Sequence, residues 1–207
     1  MSVLKKSIWV ILLVLIADQA LKFYVKLDMT LGESIPIFKN WFFLYFTENN
    51  GMAFGIQFGG SWGKLFLSLF RIFAIIAIGY YIYTLRNKNV KTGFIISISL
   101  IFAGAIGNII DSAFYGLIFS QSTFNSVATL VPFGHGYAGF LHGKVVDMLY
   151  FPLIDIAKTH APAWIPSFVF GPDNRFVFFR PIFNIADSSI TIGVLWLLIF
   201  ERKYIKL

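Results

Sequence analysis

The sequence has no cysteine among its 207 residues, which removes thiol catalysis, disulfides, iron–sulfur clusters and cysteine-ligated zinc together. Charge is scarce as well. Only 13% of residues are Asp, Glu, Lys or Arg, against roughly a quarter in a soluble domain. Histidine occurs three times, at His135, His142 and His160, and no spacing such as H-E-x-x-H joins these into a zinc pattern. They read as interfacial or loop residues, so neither a metal nor a cofactor is expected. Internal repeats, low-complexity tracts and a second domain are likewise not visible.

What the chain has instead is apolar surface. It is 57% hydrophobic and 19% aromatic, with 25 Phe and 5 Trp, and its mean hydropathy is +0.75. This is the composition of an integral membrane protein, with Phe and Trp suited to lipid-facing surfaces and interfacial belts. The formal net charge of +7 would fit a nucleic-acid partner in a soluble protein. In a membrane protein basic residues first set topology, so no nucleic acid is expected. The opening MSVLKKSIWVILLVLIADQALKFYV has the two lysines and apolar run of a secretory signal. Its apolar run is long for one and no small-x-small site follows, so it reads as a retained first span.

About 20 mostly apolar residues cross a bilayer as a helix, and four segments qualify: residues 7–25, 62–85, 94–119 and 182–200. Lys5 and Lys6 precede the first. Arg86, Lys88 and Lys91 crowd the turn between the second and third, and Arg202, Lys203 and Lys206 follow the fourth. With four spans all three clusters fall on one side, which the positive-inside rule makes cytoplasmic. The expectation is a mostly α, four-transmembrane-helix bundle, residues 1–207 as one domain, both termini inside and two long connections outside. The first connection, GESIPIFKNWFFLYFTENNGMAFGI, reads as two aromatic-rich strands broken at Asn49-Asn50-Gly51. The second holds the extended FLHGKVVDMLYFPLI and then a Pro- and aromatic-rich stretch around Trp164 that suits the membrane surface.

Against this background the polar residues inside the spans stand out, because a charge in hydrocarbon costs at least ~2.5 to 3.5 kcal/mol. Asp18 and Lys22 lie in the outer half of the first span, four apart and able to pair. Asn108, Asp111 and Ser112 share one face of the third, after the small residues of AGAIG that let another backbone approach. Asp187 lies near the outer end of the fourth, with Asn184 three residues earlier on the same face. Structural explanations exist for each: Asp187 as a helix cap at the interface, a self-neutralising Asp18–Lys22 pair, Asn108 as interhelical glue, Arg71 snorkelling outward. Jointly, three spans with polar groups at similar depth point to a polar site near the outer leaflet. Asp147, in GKVVDMLYF, could face Asp187 if its segment folds back. Two close carboxylates share a proton and hydrolyse amides without metal or nucleophilic side chain. Asp111, Asp155 and Asp173 are also available as partners.

In order along the chain, the motifs DQALK (Asp18, Lys22), NNGMAFG (Asn49, Gly51), GAIGNIID (Gly104, Gly107, Asn108, Asp111), GKVVDM (Asp147) and FNIADSSITIG (Asn184, Ala186, Asp187) resemble those of the bacterial lipoprotein signal peptidases, the type II signal peptidase family. The resemblance implies a membrane aspartic endopeptidase that cuts the signal peptide from diacylglyceryl-modified prolipoproteins, before the lipidated cysteine, at the outer face of the cytoplasmic membrane. It implies Asp147 and Asp187 as the catalytic pair. It further implies that Asn108 and Asn184 help place the substrate backbone, that Asp18 and Lys22 support fold and site, and that the first connection forms a small β-cradle. Prolipoproteins and membrane lipids are the expected partners, and a monomer the expected state.

Two positions depart from the family pattern. Ser112 and Glu48 stand where arginines are usual, and Arg175, Arg180 or Lys144 are candidates to replace the lost charge. The second connection is long for the family. A different class, a small four-span transporter or channel with an Asp18–Lys22–Asp111 relay, lacks the repeats common in transporters.

Overall fold

The computed structural model of the chain describes residues 2–49, 60–162, 164–171 and 173–204. Four helices carry it: α1 (Val3–Asp28), α2 (Gly60–Thr84), α3 (Thr92–Ile118) and α4 (Ile185–Phe200). The first three are long and apolar enough to cross a membrane. The fourth is shorter, 16 residues, or about 24 Å at 1.5 Å per residue. The segment expected at residues 182–200 thus begins late. Ile182–Phe183 is a short strand instead, and Asn184, in extended conformation, caps the helix behind it.

Sequence explains the helix contacts. Helices α3 and α4 approach closely at glycines: a Cβ at Gly104 would lie 2.2 Å from the Ala186 carbonyl oxygen, and one at Gly193 2.6 Å from that of Ser97. Ser189 Oγ donates to the carbonyls of Leu100 and Ala186, at 3.1 and 2.8 Å, tying the two helices where apolar packing has no room. Near its end α3 widens into a π-helical turn, Asp111–Tyr115, a feature frequent at functional sites.

A four-stranded antiparallel sheet covers the ends of α1, α3 and α4. Its strands are β1 (Ser34–Phe38), β2 (Phe42–Asn49), β3 (Val145–Tyr150) and β6 (Ile182–Phe183), in the order β1-β2-β3-β6. A break at residues 39–41, where Lys39 takes a φ of +46°, divides the stretch before Asn49 into β1 and β2, which was expected as one strand; β2 ends at Asn49, where the expected turn begins. Within β2 the alternation holds, Leu44 and Phe46 both being buried on one face. Gly51 and the strand expected after it lie outside the described residues. Between β3 and β6 the chain makes a separate two-stranded ribbon, β4 (Ile154–Ala157) with β5 (Arg175–Phe178). There Trp164 and Phe168 are 80% and 85% exposed.

The apolar core below the sheet joins Val25 and Met29 of α1, Leu44 and Phe46 of β2, Tyr115 and Phe119 at the end of α3, and Val146 and Met148 of β3. Residues 119–143 wrap the end of α3. The amides of Val131, Gly134 and Ala138 donate to the carbonyls of Ile118, Leu117 and Gly116 at 2.9–3.0 Å, and Gly143 N donates to Ser112 O at 2.8 Å. A helix end leaves its last carbonyls unsatisfied, and this loop supplies the donors. It also delivers the chain into β3.

The close contact at Gly104 yields a prediction. Gly104→Ala forces its methyl against backbone and should cost about 1–3 kcal/mol or more, read as a lowered thermal midpoint in detergent. Gly139→Ala, with nothing within 4 Å of the added carbon, should leave that midpoint unchanged.

Candidate active site

Helix α1 begins the site with a buried cation. Lys22 Nζ donates to Asp18 Oδ2 at 2.9 Å, to Asp111 Oδ2 at 2.8 Å and to Asn108 Oδ1 at 3.1 Å. An ammonium has three donors, so all are used. Lys22, Asp18 and Asp111 are at most 1% exposed. Gln19, unremarked in the sequence, completes the set: its amide donates to Asp18, to Asp111 and to Gly107 O, and its carbonyl accepts from the Tyr115 hydroxyl.

The two buried carboxylates then reach outward to backbone. Asp18 Oδ1 accepts the amide of Ala186 at 2.9 Å, and Asp111 Oδ2 accepts that of Val146 at 3.2 Å. The first fixes the start of α4, where a negative charge complements the helix dipole. The second fixes β3 one residue before Asp147. Gly107 keeps this junction open, since a Cβ there would meet Asp18 Oδ2 at 2.8 Å.

Three asparagines join these supports to the outer pair of aspartates. Asn184, the N-cap of α4, accepts the amide of Asp187 on Oδ1 at 2.8 Å. Its Nδ2 lies 2.7 Å from Asp147 Oδ1, 3.1 Å from Asn108 Oδ1 and 3.3 Å from Val146 O. Asn108 Nδ2 donates to Asp187 Oδ1 at 2.7 Å, and Asn49 Nδ2 donates to Asp147 Oδ2. The cap is therefore Asn184, and Asp187 in the first turn is left to face the site. The sheet register brings Asn49 to Val145 and Thr47 to Asp147, which sets the asparagine beside the carboxylate.

Asp147 is 3% exposed. Burial, and then the negative charge of Asp187, push its carboxyl up to about 8, against the opposing pull of Lys22 and the bonds from Asn184 and Asn49. The other candidate partners are occupied: Asp155 with Arg175 at 2.8 Å, Asp173 near Arg180 at 3.7 Å, Asp111 with Lys22. Arg175, Arg180 and Lys144, the expected substitutes for the missing arginines, likewise have other partners, Lys144 being 3.3 Å from Glu48. Glu48 also binds Lys26, whose ammonium sits 4.8 Å from the Tyr137 ring centre. The sign of charge at this position is thus inverted and balanced by two lysines. Ser112 donates to Asn108 O at 3.2 Å. A second cation in the field of these carboxylates, Asp187, Asp111 and Asp147, is Arg71 of α2, which speaks against the structural explanation of a side chain snorkelling outward. Its signal was present in the sequence as Lys64, Ser68 and Arg71, polar at helical spacing on an otherwise apolar helix.

Apolar helices of this length around a buried cluster of carboxylates and amides define a multi-pass membrane protein. A model of the family described as signal peptidase (SPase) II matches residues 10–202. The lipoprotein signal peptidase of Porphyromonas gingivalis is 48% identical over 201 residues, covering 95% of this chain and 83% of its own. That of Amoebophilus asiaticus is 36% identical over 208 residues, covering 97% and 81%. A solved structure described as a bacterial membrane enzyme superposes with a TM-score of 0.60 at 28% identity, over 97% of this chain and 89% of that one. The chain belongs to the signal peptidase II family, and is thereby a protease. The transporter or channel reading has no support.

Two predictions follow from the electrostatics. Lys22→Met strands Asp18 and Asp111 without a counter-charge and should destabilise the fold by about 3–5 kcal/mol, measured by thermal unfolding. For Asp147 the folded state holds a proton that the unfolded chain has released between pH 3.8 and about 8. Stability should therefore fall as pH rises through that window, and Asp147→Asn should flatten this part of the melting-temperature profile.

Proposed function

We propose that this chain is an aspartic endopeptidase that removes signal peptides from diacylglyceryl-modified prolipoproteins, with Asp147 and Asp187 as its reacting pair. The observation that carries the reading is the buried Asp147 carboxyl, held through Asn184 to the first turn of the helix that bears Asp187. Its raised protonation makes Asp147 the side that keeps the shared proton. Asp187, held by Asn108, is then the base.

In this scheme a water lies between the carboxyl groups. Asp187 takes a proton from it as its oxygen adds to the scissile carbonyl carbon, while Asp147 gives its proton to the carbonyl oxygen. The neutral diol collapses. Its carbon–nitrogen bond breaks, Asp187 passes its proton to the leaving amine, and Asp147 recovers one from the diol hydroxyl. Such paired carboxylates require no cofactor. Asn49 and Asn184 orient the Asp147 oxygens, and with Asn108 they offer amides to the substrate backbone. Asp18, Lys22, Gly104, Asp111 and Ala186 support the site, and Gly51 is assigned with Asn49 by the family motif.

The same reading places residues 1–207 as one four-span domain in the bacterial cytoplasmic membrane, both termini inside, working as a monomer among lipids. The basic clusters at Lys5–Lys6, at Arg86, Lys88 and Lys91, and at Arg202 and Lys203 support this orientation. With α4 as the fourth span, about 24 Å of helix in a hydrocarbon core of about 30 Å sets Asp187 below the outer interface. A lipidated cysteine holds its bond at that depth.

Purified protein should cleave a diacylglyceryl-modified prolipoprotein peptide before cysteine, prefer it over the unlipidated form, and be indifferent to chelators. Asp147→Asn and Asp187→Asn should each lower kcat at least about a hundredfold while remaining folded. The rate should be bell-shaped in pH, with two values belonging to the pair. Normal turnover in either variant would exclude the pair.

A further inference from the structure

Helix α2 exposes Trp62, Phe66, Leu69, Phe70 and Phe73, yet Lys64 and Ser68 on its opposite side are buried, at 8% and 2% exposure. Lys64 Nζ donates to His142 O at 2.7 Å, and Ser68 Oγ lies 3.5 Å from Leu141 O. These contacts fix the rotation of α2 about its axis, so that this side looks onto the loop feeding β3. Arg71, three residues past Ser68, lies on the same side. Its partly buried side chain stands in the field of Asp187, Asp111 and Asp147.

The surrounding charges show what a cation does there. Asp18 of α1, Asp111 of α3, Asp147 of β3 and Asp187 of α4 are the carboxylates gathered at the site, and Lys22 of α1 holds two of them. Lys26 and Lys144 are both engaged with Glu48, and Lys64 is engaged with the loop. With one proton shared by the outer pair, three negative charges face Lys22. A guanidinium keeps its charge at every working pH, and an opposite charge nearby favours ionised carboxylate.

We propose that Arg71 is a positioning residue of the reacting pair: the polar side of α2 directs its permanent charge at the two aspartates, so that one of them stays ionised as the base in mildly acidic conditions. This rests on the reading of Asp147 and Asp187 as that pair.

The test uses the full chain in detergent or nanodiscs, with kcat/KM for a lipidated prolipoprotein peptide measured from pH 4.5 to 9. Arg71→Gln should move the acidic limb upward by about one pH unit or more, and Arg71→Lys should return it most of the way. Arg71→Met, which keeps the apolar stem, carries the same expectation as Arg71→Gln and stands in where the latter folds poorly. An unshifted limb in a folded neutral variant, whether turnover is normal or uniformly reduced, overturns the proposal. So does failure of both neutral variants to fold while Arg71→Lys folds, because the charge would then be holding helices together. Wild-type protein that cleaves nothing, or normal cleavage by Asp147→Asn, defeats instead the reading of the pair.

Discussion

The ammonium of Lys22 is the constraint on which the site is built. It is fully buried, and burying a charge is costly unless it is paired and hydrogen-bonded. Its three donors therefore commit Asp18, Asp111 and Asn108 to fixed places. Each of these then fixes something else: Asp18 the start of α4, Asp111 the start of β3, Asn108 the carboxylate of Asp187. Helices that share little but apolar surface are brought into register by one cation, and the two outer aspartates inherit their positions from it.

Much of this was legible in the chain. The apolar runs gave α1, α2 and α3 to within a few residues, because hydrophobic length is a direct reading of bilayer thickness. Asp18, Lys22, Asn108, Asp111, Asn184 and Asp187 stood out because polar groups in apolar surroundings are expensive. The bonds that unite Asp147 with Asn184 were not visible, since they depend on a strand returning over helix ends from nearly 40 positions earlier in the sequence. The family resemblance implied Asp147 and Asp187 as the pair where spacing left Asp111, Asp155 and Asp173 open.

Other misses have local causes. The turn at residues 39–41, which divides the stretch before Asn49 into β1 and β2, carries a weaker signal than Asn-Asn-Gly and went unread; β2 itself ends at Asn49. The segment at 182–200 was read as helix throughout, because Ile182 and Phe183 are apolar in either conformation. Pairing with Leu149 and Tyr150 decides for strand. The π-helical turn has no sequence mark at all; the loop amide at Gly143 that satisfies Ser112 O reveals its setting. Arg71 was judged as a single charge, and only its place after Lys64 and Ser68 shows which way it points.

Asn184 carries two duties that are normally separate. It closes the free end of a helix, and it holds the carboxyl of a residue on another element. Fraying of the first helical turn would therefore take one hydrogen bond from Asp147 and the cap from the turn that bears Asp187, leaving each acid to its other asparagine, Asn49 or Asn108. Capping of the last helix and placement of the buried Asp147 carboxyl are thus linked through a single side chain.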